Sequence, residues 1–197
     1  MTHREPTSDP AFRILRLSPT HVADYRSVML ETYDHDTEAF KSTVAERGPL
    51  PLEWWLPRVS DEPGAAEMVF GAFVGDRLVG VAGLRFEQRP RTRHKASLFG
   101  MSVLPEHRHQ GIARALVEKV LDQARSRPET RVVQLTVTES NTPAVRLYEA
   151  CGFRPYGSEP FGIKVGEDRY LPLLHMWCPL ERTLSIEGVS SPVSGSR

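Results

Sequence analysis

From Met101 to Arg127 the chain reads MSVLPEHRHQGIARALVEKVLDQARSR, and no other run constrains the fold as strongly. It combines the end of a strand, a short turn and a long amphipathic helix. Ile112, Leu116 and Val120 fall on one line of that helix, with Ala113, Val117, Leu121 and Ala124 beside it. A helix apolar on one side must bury that side against another layer. Arg125 and Arg127 sit near its C-terminus, where positive charge is favoured, and Pro128 stops it. The turn before it is Arg108-His-Gln-Gly-Ile-Ala113. Small residues at 111 and 113 let the backbone approach a ligand closely, and the helix start exposes free N–H groups. Backbone alone can therefore form an anion site here.

The rest of the chain supplies strands and shorter helices around this run. Phe12–Leu17 alternates as a strand. Ser18 and Pro19 open a helix to about Glu31, with Val22, Tyr25, Val28 and Met29 at helical spacing. Asp34–Thr37 reads as the start of a second short helix through Glu46, broken by Gly48-Pro-Leu-Pro51. Leu52–Leu56 adds a turn or two. Its adjacent Trp54 and Trp55 cannot both face one core, so one belongs on a partly exposed wall. Glu67–Val74 and Arg77–Phe86 form a hairpin about Gly75-Asp76. After the basic loop Gln88–His94 come strands Lys95–Val103 and, beyond the long helix, Arg131–Val137. Thr142 and Pro143 read as the cap and first position of another helix, with Ala144, Leu147, Tyr148 and Cys151 as its apolar stripe and Gly152 ending it. Phe153–Lys164 and Arg169–Pro179 are two last strands. The order predicts one α/β domain on a mixed sheet over residues 11–182, with a loose lead-in at 1–10 and a disordered tail at 183–197.

Composition narrows the function classes. Lys+Arg and Asp+Glu balance at 25 each, so net charge gives no reason to expect nucleic acid or an anionic membrane as partner. The two cysteines, Cys151 and Cys178, are too few for a disulfide scaffold and form no CxxC pair. They read as buried thiols in a reducing compartment. The N-terminal MTHREPTSDPAFRI lacks the apolar core of a signal peptide, and no apolar run approaches the ~18 residues of a membrane helix. A soluble cytoplasmic protein is expected. His107 and His109 beside Glu106 do not make the three or four converging ligands of a zinc site, so no metal is expected.

Two signatures occur in a fixed order. The first is Met101-Ser-Val-Leu-Pro-Glu-His-Arg108-His-Gln-Gly111-Ile-Ala113; the second is Asn141-Thr-Pro-Ala144-Val-Arg-Leu-Tyr148-Glu-Ala-Cys-Gly152-Phe153. Together they resemble the GNAT (Gcn5-related) N-acetyltransferases. The resemblance covers about residues 11–180 and is most specific over 95–160. It implies a mostly antiparallel sheet of about seven strands flanked by helices and splayed between the fourth and fifth. It implies acetyl-CoA as cofactor. Amides from His109 through Gln110, Gly111, Ile112 and Ala113 to Arg114 would hold the pyrophosphate, with charge from Arg108 and Arg114. Backbone of Met101, Ser102 and Val103 would meet the pantetheine arm as an added strand, and Asn141 and Ala144 would touch it. Tyr148 would donate a proton to the leaving thiolate.

The general base is less defined. Many members of the resembled family carry Glu in the fourth strand where this chain has Ser97. Glu87 and Glu31, acting through water, are the substitutes; Glu139 and the Phe99 carbonyl are further options. Tyr33, Trp54, Trp55, Phe161 and His175 are the expected acceptor pocket. The function implied is acetyl transfer to a primary amine of a small molecule or peptide by direct attack in a ternary complex. A non-catalytic acyl-CoA-binding sensor and a protein N-terminal or lysine acetyltransferase are the alternatives. The implied partners are acetyl-CoA and an amine acceptor, with no nucleic acid, no membrane, and a homodimer as the assembly to test.

Overall fold

The computed structural model describes residues 12–180, so the lead-in at 1–10 and the tail at 183–197 lie outside the described residues. The strands are β1 (Arg13–Arg16), β2 (Glu67–Val74), β3 (Arg77–Phe86), β4 (Lys95–Val103), β5 (Val132–Thr138), β6 (Arg154–Lys164) and β7 (Tyr170–Pro179). They form one 7-stranded sheet in the order β1-β2-β3-β4-β5-β7-β6. Every neighbouring pair is antiparallel except β4 with β5, which is parallel. The helices are α1 (Val22–His35), α2 (Val44–Arg47), α3 (Leu52–Trp55), α4 (Ile112–Arg125) and α5 (Thr142–Ala150).

β2 and β3 are apolar almost throughout because both faces of the sheet are covered. On one face Met68, Phe70 and Ala72 join a core with Ile112, Leu116, Val117 and Val120 of α4. On the other, Val69 and Phe73 pack with Tyr25, Val28 and Met29 of α1 and with Trp55 of α3. The apolar stripe of α4 thus predicts its buried side correctly.

The stretch between α1 and α3 differs from the sequence expectation. Asp34 and His35 belong to the last turn of α1, and of the helix expected through Glu46 only the 4 residues of α2 form. Thr32 explains the longer α1. Its Oγ1 lies 2.8 Å from Ser102 Oγ in a buried contact, which fastens the C-terminal turn of α1 to β4. Thr43, not Thr37, begins the next helix. The Glu46 N–H donates to Thr43 Oγ1 at 3.3 Å and the Thr43 N–H donates to Glu46 Oε2 at 2.9 Å, a reciprocal cap.

α5 also begins one residue earlier than expected. Asn141, not Thr142, is its cap: Asn141 Oδ1 accepts the Ala144 N–H at 3.3 Å. At its other end Gly152 has φ +93. Gly152 N–H donates to Glu149 O at 2.9 Å and Phe153 N–H to Tyr148 O at 3.0 Å, the paired bonds of a Schellman closure. The closure brings Phe153 edge-on to Tyr148, with ring centroids 5.7 Å apart. We expect Gly152→Ala to lower stability by about 1 kcal/mol, because alanine is strained at this φ. Urea denaturation with an unchanged midpoint would show that the left-handed closure is dispensable.

The feature that positions the site is the parting of β4 from β5. The two strands pair only through Lys95–Val132, Ala96–Val133 and Ser97–Gln134. Beyond Ser97 they diverge. On the β3 side, Val81 faces Ser102 while Gly83 faces Phe99, so β4 places Gly100 and Met101 opposite Ala82 alone. This is a bulge in β4, and Gly100 adopts φ +58 within it. A bulge bends its strand, and past Ser97 the edge of β4 that faces the gap has no pairing with β5.

Candidate active site

A cleft of about 740 Å³ occupies that gap and continues under α1. Its floor is the second half of β4, including Phe99, Met101 and Val103; Thr136 and Val137 of β5 form the opposite bank. One end reaches the start of α4. The other reaches Trp54, Arg47 and Arg58.

The α4 end is made by backbone. His109 has φ 62 and is the one non-glycine with positive φ among the described residues; Gly111 follows at φ 82. Left-handed residues two apart turn successive N–H groups toward a common point, as in anion-binding nests. Among the described residues the N–H groups of 109–114 donate to nothing, and the first helical bond runs from Ala115 N–H to Gly111 O at 3.1 Å. A Cβ built on Gly111 would meet nothing within 4 Å. A row of free donors therefore faces open space at a helix N-terminus, which fits a diphosphate.

The two arginines expected beside it are already engaged. Arg108 Nε donates to Val103 O at 2.9 Å and its Nη2 to Asp36 Oδ2 at 2.5 Å. It clamps the end of β4 to the end of α1. Arg114 Nε pairs with Glu118 at 2.8 Å. The amides are therefore the donors left free for an anion at this end. Gln110 contributes only its N–H, since its exposed side chain donates to Glu106 O at 3.4 Å and lies outside the cleft lining.

Further in, Met101, Ser102, Val103, Asn141, Ala144 and Tyr148 all line the cleft, as expected. The hydroxyl of Ser102 is taken by Thr32, so only its backbone faces a ligand. Tyr148 is 6% exposed, and its hydroxyl has no hydrogen-bond partner among the described residues. Burial, helped by the Cys151 thiol, pushes its pKa well above the ordinary tyrosine value. It therefore holds its proton and can donate it.

The expected bases do not converge. Glu31 lies on the face of α1 away from Tyr25, Met29 and Tyr33, which line the cleft, and Glu31 does not. Glu87 sits beside Lys95, where β4 is still paired with β5 and no gap exists; its N–H donates to Lys95 O at 3.1 Å. Glu139 is exposed and accepts from Ser158 Oγ at 3.2 Å. Among the described residues Asp36 is the one carboxylate lining the cleft, and it is paired with Arg108.

Of the expected acceptor residues, Tyr33 and Trp54 line the cleft; Trp55, Phe161 and His175 do not. Trp55 is 1% exposed and packs edge-on to Tyr25 at 5.8 Å, so it is the core member of the tryptophan pair. Phe161 is 76% exposed on β6, against Tyr170. His175 Nε2 lies 3.2 Å from Glu159, turned along the β6–β7 hairpin. The last hairpin thus supplies none of the acceptor wall expected of it. Phe99, whose carbonyl the sequence offers as a partner for the amine, is in the lining; Tyr25, Phe40, Arg47 and Arg58, also in the lining, are not expected from the sequence. Only Arg58 leaves a signal, standing four residues after Trp54 at helical spacing.

The profile of the Acetyltransferase (GNAT) family matches residues 29–153, which spans both the amide row and Tyr148. An L-amino acid N-acetyltransferase of Escherichia coli is 30% identical over 114 residues, covering 57% of this chain and 68% of that protein. N-acetyltransferase family 8 member 2 of Rattus norvegicus is 42% identical over 84 residues, 42% of this chain, but the match spans only 37% of the rat protein. Among solved structures, a GNAT acetyltransferase from Streptococcus pneumoniae superposes with a TM-score of 0.75 at 23% identity, covering 85% of this chain and 99% of that one. A putative acetyltransferase from Salmonella typhimurium with its cofactor acetyl-CoA gives 0.72 at 21% identity, covering 90% and 99%. With the seven-stranded sheet, the parted β4 and β5, and both signatures at the edges of one cleft, the chain belongs to the GNAT acetyltransferase family.

Proposed function

We propose that the protein transfers an acetyl group from acetyl-CoA to a primary amine of a small molecule or peptide, by direct attack in a ternary complex. The carrying observation is that residues 109 and 111–114, whose amides are free among the described residues, and the protonated Tyr148 line the same cleft between β4 and β5. Acetyl-CoA supplies an activated acyl thioester, and its thiol leaves as the amide forms. The chain's part is to hold and to donate. Amides 109–114 bind the diphosphate, and the backbone of 101–103 orients the pantetheine arm. Tyr148 gives its proton to the departing sulfur. With no unpaired carboxylate in the lining among the described residues, the amine enters neutral or loses its proton to water; positioning then lowers the barrier. Relatives of this chain include the L-amino acid enzyme of Escherichia coli and a spermidine N(1)-acetyltransferase of Vibrio cholerae, 37% identical over 60 residues, so membership alone leaves the acceptor open.

We place the reaction in the cytoplasm, supported by two cysteines that are both free thiols, with pKa raised by burial. The same reading includes a homodimer, for which the exposed Phe161 and Tyr170, in ring contact on the β6–β7 hairpin, provide an apolar patch; light scattering tests it. Thiol release from acetyl-CoA, measured against a panel of amines, tests the activity. Release dependent on an amine supports transfer. Binding of acetyl-CoA with no release for any amine would leave a sensor or scaffold. Labelling of proteins in a treated lysate would favour a protein acetyltransferase instead.

A further inference from the structure

We infer that the acceptor is an anionic amine of the α-amino acid class, held by its carboxylate at the Arg47–Trp54–Arg58 cluster. This rests on the proposed acetyl transfer and concerns the other end of the same cleft.

Both guanidinium groups sit on Trp54: Arg58 Cζ lies 3.9 Å from the indole ring centroid and Arg47 Cζ 4.4 Å. Lys41 and Arg85 also line this end. Arg85 is neutralised by Glu67 at 2.6 Å. Arg47 and Arg58 are not neutralised. Arg47 Nε donates to Ser42 Oγ at 3.0 Å, Arg58 Nη1 to Trp54 O at 3.3 Å, and neither forms an ion pair among the described residues. Two half-buried arginines in a lined cleft, held in place by an aromatic face and left with unused donors, suit a carboxylate. The planar fork of a guanidinium matches the two oxygens of that group. A polycation at this end would face uncompensated like charge.

The same charges help the chemistry. Two guanidinium groups against one carboxylate leave net positive charge beside the acceptor's ammonium. Positive charge there favours the neutral, nucleophilic amine. This supplies part of what the missing carboxylate base would have done. Tyr25, Tyr33 and Phe40 line the adjoining wall and suit an apolar or aromatic side chain on the acceptor.

The test compares each common L-amino acid with its own amide, and with spermidine, as acceptors for thiol release at saturating acetyl-CoA. The amide keeps the amine and the side chain but lacks the carboxylate. Its ammonium is also the more acidic, so amine basicity alone would favour it near neutral pH. We expect at least one amino acid to exceed its amide by about tenfold or more in kcat/KM, with no turnover of spermidine. Arg58→Met should raise KM for that amino acid by about tenfold or more, and Arg58→Lys should recover part of the loss. Amides or spermidine used as well as the acids would overturn the inference and leave acetyl transfer standing. So would an unchanged KM in Arg58→Met. No thiol release with any amine, while acetyl-CoA still binds, would overturn acetyl transfer and this inference with it.

Discussion

Gly111→Glu should abolish useful binding of acetyl-CoA, weakening it by about a thousandfold. Two effects act in the same direction. The backbone at 111 has φ 82, where any side chain costs about 1–2 kcal/mol. Charge costs more. A carboxylate placed about 4 Å from a phosphate near the protein surface is opposed by roughly 4 kcal/mol. Because a Cβ at 111 meets nothing within 4 Å, the new side chain clashes with no part of the protein, and its charge acts on the ligand. Titration calorimetry with acetyl-CoA checks this. Gly111→Ala should lose far less, since it brings only the backbone cost. Unchanged affinity in Gly111→Glu would move the diphosphate away from the start of α4.

Tyr148→Phe should lower kcat by about a hundredfold while leaving acetyl-CoA affinity within about threefold. General acids contribute roughly 10²–10⁴ in rate. The ring stays packed against Phe153 in the variant, so only the hydroxyl is lost. The sign of the pH dependence follows from burial. Tyr148 has its pKa raised, so its hydroxyl remains a donor above the ordinary tyrosine value of about 10. The rate should therefore rise with pH as the acceptor amine loses its proton, with no fall caused by Tyr148 below about pH 10. Equal kcat in variant and parent would assign Tyr148 to packing alone.

The proposed cofactor half of the site is legible in the sequence because its features are local. Six successive amides, a glycine with positive φ and a helix start all lie within one short run, and Gly111 announces them. Tyr148, Gly152 and Phe153 are legible for the same reason: they close one helix end, and that closure fixes the tyrosine. The gap between β4 and β5 comes with the family resemblance; the bulge that helps open it depends on register, with Gly100 and Met101 set against Ala82. The acceptor half is harder. Its wall is assembled from α1, the loop before α2, α3 and β4, which meet only through tertiary packing. Composition marks aromatic residues but not their direction, so sequence reasoning puts Trp55, Phe161 and His175 in a pocket that excludes them. The length of α1 escapes it as well, because the last turn is held by Thr32 on Ser102, a contact between distant segments.

The most direct test of the central claim is a crystal structure of the protein with acetyl-CoA. Pyrophosphate oxygens are expected within hydrogen-bond distance of the amides of residues 109–114. The pantetheine arm is expected alongside Met101–Val103, with the sulfur facing the Tyr148 hydroxyl. A pyrophosphate bound elsewhere, or a thioester outside the gap between β4 and β5, would contradict it.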